Sequence, residues 1–147
     1  MSEAREQPVR PARRLSDAIR DAKNIAADRD DVVVDMREAS RIRLEILAAE
    51  LEDVFAEVPA EDTMFDFAIS SGLQPRLWID AVAHVAMGRD KRSYRFVRDS
   101  RAGRVVMAET HDVKQAAEAV TRYIAERMVE RERLLDGGVE PLMKAEA

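Results

Sequence analysis

The sequence predicts an α+β fold: N-terminal amphipathic helices, a small antiparallel β-meander of three to four strands, and a long C-terminal helix packed on the sheet. Three observations predict it. Apolar residues recur at helical spacing up to residue 58. Two alternating segments then meet at the link SRAG, residues 100–103, as a hairpin would. After Asp112 a helical stripe of Val113, Ala117, Val120, Ile124 and Met128 returns.

Residues 1–12 are polar and contain Pro8 and Pro11, and are expected to be a disordered tail. Residues 13–58 form the helical segment. Its first helix, to about Ala27, carries Leu15, Ala18, Ile19, Ala22, Ile25 and Ala26, and the acidic run Asp28 to Asp31 is expected to break it. Asp35 with Glu38 three residues on reads as a capping box for a second helix, to about Glu57. On that helix Leu44, Leu47, Leu51, Val54 and Val58 make one apolar stripe, which Pro59 ends.

Residues 59–136 are expected to form the small α+β domain. MFDFAISS, 64–71, alternates like a strand. PRLWIDAVAHVAM, 75–87, is read as one strand, with Leu77, Ile79, Ala81, Ala83, Val85 and Met87 facing one way and Trp78, Asp80, Val82 and His84 the other. Strands over 92–98 and 104–110 follow, paired Asp99 with Arg104, Val97 with Val106 and Phe96 with Met107. Tyr94, Phe96, Val105 and Met107 then share the buried face. Asp112 with Gln115 is a second capping box, Gly137 stops the last helix, and 137–147 is expected to be a flexible tail.

Composition narrows the chemistry. With no cysteine, disulfides, thiolate metal sites and thiol nucleophiles are excluded. No stretch is apolar enough to span a membrane, so a soluble cytoplasmic protein without membrane partners is expected. No nucleotide, zinc-protease or calcium motif is present, and no cofactor is expected. The net charge of −5 conceals a basic stretch, GRDKRSYRFVRDSRAGR at 88–104, lying between acidic neighbours.

Three readings compete for function. The leading one is a non-enzymatic, adaptor-like protein that binds a protein partner or a second copy of itself. Its interface residues are Leu44, Leu47, Leu51 and Val54, together with Trp78, Val82 and His84 on the outward sheet face. The alternative is a nucleic-acid or phosphate-binding module using the hairpin 89–104, with Lys91, Arg95, Arg101 and Arg104 as the anion contacts. The hairpin's charges are split, with Arg92 and Arg98 at the ends of the buried face, Lys91, Arg95 and Arg104 on the opposite one and Arg101 on the loop, which weighs against a continuous nucleic-acid track. The third is an acid/base site at Asp80 and His84, which share a face whether 75–87 is strand or helix.

Overall fold

A computed structural model describes residues 14–137, so the tails expected over 1–12 and beyond Gly137 lie outside the described residues. The chain is α+β. Helix α1 spans Leu15–Glu50 and α2 spans Glu52–Glu57. Strands β1 (Phe65–Ile69), β2 (Leu77–Asp80), β3 (Ala83–Met87), β4 (Tyr94–Ser100) and β5 (Gly103–Thr110) follow, and α3 (Val113–Gly137) ends the chain. Two compact units meet within α1, one running to Met36 and the other starting at Arg37.

The expected break at Asp28–Asp31 does not form, nor does Asp35 cap a second helix: α1 is continuous through both. Neither Gly nor Pro occurs between Pro11 and Pro59. Aspartate in a helix interior costs only about 0.7 kcal/mol against alanine, too little to end a helix. In the first unit Leu15, Ile19, Ile25, Val32, Val33 and Met36 are all exposed. The helical run is interrupted at Leu51, whose N–H reaches the carbonyls of both Leu47 and Ala48, at 3.0 and 3.2 Å. Val58 is extended, as a residue before proline must be, and α2 stops there.

The second unit is built on a five-stranded antiparallel meander, β1-β2-β3-β4-β5, one strand more than the upper expectation. The extra strand comes from 75–87, which is two strands rather than one. Asp80 Oδ1 accepts the N–H groups of Val82 (2.9 Å) and Ala83 (2.8 Å), folding Ala81–Val82 into a turn. Between β3 and β4, Asp90 Oδ1 accepts from the Arg92 and Ser93 N–H groups and from Ser93 Oγ, each at 2.9 Å. These bonds hold the Asp90 carboxyl far below the usual carboxylate range. A side chain at Gly88 would run into Ser93 Oγ, which explains glycine at the start of this turn.

One sheet face packs against α3 and the end of α1. Leu77, Ile79, Val85, Met87, Tyr94 and Phe96 meet Val120, Tyr123 and Ile124 from α3, with Leu44, Leu47 and Leu51 completing the core. Phe96 and Tyr123 meet edge to face, with ring centroids 5.4 Å apart. Tyr94 donates its hydroxyl to the Arg43 carbonyl at 3.1 Å, tying β4 to α1. Leu44, Leu47 and Leu51 are wholly buried and Val54 packs beside them. The stripe read as an interface is therefore this chain's own core, because the sheet needs a second helix to cover it.

The hairpin register holds at Asp99↔Arg104 and Val97↔Val106, then slips: Phe96 faces Ala108, and Met107 is the extra residue of a β-bulge. Ala108 takes the core position expected of Met107, while Val105 and Met107 are exposed. At the start of α3, Asp112 Oδ1 accepts the Lys114 N–H at 2.8 Å, as an N-cap does. Gln115 does not return the bond; its side chain accepts from the Thr110 hydroxyl at 2.8 Å.

Candidate anion-binding site

The sheet face turned away from α3 carries the other half of each strand's alternation. Across it run two rows of directly opposed residues: Trp78, His84, Val97 and Val106 in one, and Ala86, Arg95 and Glu109 in the next. Arg104 stands opposite Asp99 on the same face. Arg76, two residues before Trp78 and so of the same parity, completes a concave site of about 760 Å³ with His84, Arg95, Val97 and Arg104. Arg89 and Lys91 also line it, and Asp90 and Glu109 supply negative charge.

His84 occupies this site and is only 2 % exposed. Its ring lies 4.7 Å from that of Trp78 at an interplanar angle of 53°. Its Nδ1 is buried and has no hydrogen-bond partner among the described residues. Burial lowers the His84 pKa from 6.5 to about 4, and Arg76 and Arg104 push the same way against a weaker pull from Asp99. The imidazole is thus neutral at pH 7, with one ring nitrogen unused.

The arginines differ in how far they are already satisfied. Arg104 Nε donates to Asp99 Oδ1 at 2.8 Å, which lowers the Asp99 pKa and raises that of Arg104. Arg95 Nε lies 3.8 Å from Glu109, a loose exposed pair. Among the described residues Arg76, Arg89 and Lys91 form no ion pair.

The residues singled out in the sequence are only partly gathered here. Lys91, Arg95 and Arg104 line one cavity; Arg101 is exposed at the hairpin tip and does not line it. Of the outward-face trio, Trp78 is half-buried, Val82 sits in the turn after β2, and His84 is buried rather than offered as a surface. Asp80 and His84 do not form the expected acid/base pair. Asp80 ends β2 at the turn and turns to the α3 side, whereas His84 lies on the open face opposite Trp78 and Val97, so Asp80 is spent elsewhere. Its Oδ2 accepts the Tyr123 hydroxyl at 2.6 Å and lies 3.5 Å from Arg127 Nε. Burial and the adjacent Asp80 hold the Tyr123 phenol well above its ordinary pKa. Arg98, on the opposite face from the cavity, lies over the Tyr123 ring at 5.9 Å.

Arg76 was missed because it precedes the first strand-like residue. Extending the Trp78 alternation back by two positions would have found it. Comparison of the chain with protein-family models, with curated proteins and with solved structures gave no match in any of the three.

Proposed function

We propose that this protein is a non-enzymatic binding module whose open sheet face takes the phosphate group of a small, nucleotide-sized ligand. The observation that carries this reading is the convergence of Arg76, Arg95 and Arg104 around the buried, unpartnered His84. A volume of about 760 Å³ falls in the range of small-molecule sites. Guanidinium groups offer the fixed donor fork that suits phosphate oxygens. An extended nucleic-acid strand is the weaker fit. Asp90, Asp99 and Glu109 stand among the cations, and Arg101 is not part of the cavity, so no unbroken basic track runs across the face.

Trp78 is the only tryptophan and touches His84, so its fluorescence reports on the site. Titration with inorganic phosphate and a nucleoside monophosphate is expected to change that emission saturably. Arg76→Ala and Arg104→Ala should each weaken the response about tenfold or more, as loss of a charged hydrogen bond does. Unchanged emission and no heat of binding with either probe would remove this reading.

A second reading keeps protein docking, now through the first unit. Leu15, Ile19, Val33 and Met36 are exposed along α1 at spacings that put them on one face, which suits a partner helix. Its check is sedimentation of an Ile19→Glu, Val33→Glu variant beside the parent chain; identical behaviour would remove it.

A further inference from the structure

Strand β5 is the last in the sheet order, and residues 105, 106 and 107 are exposed by 49, 44 and 38 %. Eight residues long and reading GRVVMAET, it has neither lysine nor proline, and its central run Val105–Ala108 is uncharged. Its charges sit near its two ends, Arg104 positive and Glu109 negative. We propose that two copies of this chain pair β5 with β5, antiparallel, about a two-fold axis passing between Val106 and Met107.

The bulge decides that register. In a regular strand, successive residues point to opposite faces. A two-fold axis falling between two residues would then oppose side chains from different faces, so regular strands must place the axis on a residue. Here Val106 and Met107 together oppose Val97, and the alternation resumes one step late, with Ala108 opposite Phe96 on the core face. An axis between Val106 and Met107 therefore keeps the faces matched along the whole strand.

That axis brings Val106 opposite Met107 of the second copy and Val105 opposite Ala108 of the second copy, covering the exposed apolar run. It also sets Arg104 opposite Glu109 of the second copy, on the open face, twice over. Arg104 belongs to that face through Asp99, and Glu109 through Arg95, so the charges meet on one side of the joined sheet. One edge strand per copy buries less than a standard interface, so the dimer is weak and depends on concentration. It does not rest on the anion-binding reading, and it would set the two cavities on a single continuous sheet face.

Sedimentation of the full chain over a concentration series is expected to show reversible dimers. Val106→Lys should leave a monomer with unchanged far-ultraviolet circular dichroism. Arg104→Glu should weaken the dimer by setting glutamates opposite one another, and adding Glu109→Arg should restore it. The chain has no cysteine, so Val105→Cys with Ala108→Cys tests the register directly. Within one strand these positions are about 10 Å apart, too far to bridge, whereas between copies they face each other and should form a disulfide on oxidation. A monomer at every concentration up to about 1 mM would overturn the proposal. So would a dimer that survives Val106→Lys but dissolves on Ile19→Glu with Val33→Glu.

Discussion

Packed on Trp78 with four arginines lining the same cavity, His84 combines a titratable ring with a setting that rejects its proton. Its pKa of about 4 lies below the ordinary 6.5, so between these values the unfolded chain binds the proton that the folded chain refuses. Stability from this residue is therefore complete above about pH 6.5 and is lost as pH falls toward 4. The loss is on the order of 2 kcal/mol across that window. Urea unfolding of the parent and of His84→Gln, at steps from pH 7.5 to 4, reads it directly. The parent curve should fall more steeply than the variant's over that range, and parallel curves would show that His84 is not the group responsible. Asp80 is buried too, and is held by two turn N–H groups and a phenol, with Arg127 beside it.

Among the elements, Asp80 joins the β2–β3 turn to the middle of α3, and its two roles separate by mutation. Tyr123→Phe removes one hydrogen bond and leaves the turn bonds intact, a cost of about 1–2 kcal/mol. Asp80→Ala strands the Tyr123 hydroxyl and both turn N–H groups as well as Arg127, and should cost about 3–5 kcal/mol. Denaturant unfolding of the two variants checks the order, and equal losses would mean the turn bonds carry nothing. The same turn shows what periodicity reveals and what it hides. Leu77, Ile79, Ala83, Val85 and Met87 are core residues, as alternation over 75–87 implies, yet Ala81 is exposed. Two strands separated by two residues keep the same parity as one long strand, so the pattern cannot mark the break; only Asp80 followed by small residues hints at it. The Met107 bulge left no signal either, since VVM is apolar on every register. Leu44, Leu47 and Leu51 were legible as a stripe, but a stripe does not say whether its cover lies within the chain. α1 runs on through Asp28–Asp31 because charge alone, without Gly or Pro, does not end a helix. The site was half legible: Lys91, Arg95 and Arg104 could be placed by parity, whereas Arg76 is brought alongside them by the pairing of β2 with β3.

For the whole molecule, a chain of net charge −5 that gathers Arg76, Arg89, Arg95 and Arg104 around one cavity has a local potential opposite to its overall sign. Under the phosphate-binding reading, that arrangement couples anion binding to protons. An anion between Arg76 and Arg104 offsets two of the charges that lower the His84 pKa, so the bound state takes up a proton more readily than the free one. By linkage, affinity must then rise as pH falls. Sulfate is a suitable probe because, unlike phosphate, it does not itself change charge between pH 7.5 and 5. Its apparent affinity, followed by Trp78 emission at constant ionic strength, should increase as pH drops across that range. The His84→Gln variant should show a flat profile, close to the parent at pH 7.5 and weaker than it at pH 5. Added sodium chloride should weaken both proteins alike, since the guanidinium groups of Arg95 and Arg104 are substantially exposed and screened. A parent profile as flat as the variant's, with binding intact, would uncouple His84 from the anion and leave the arginines alone as its ligands.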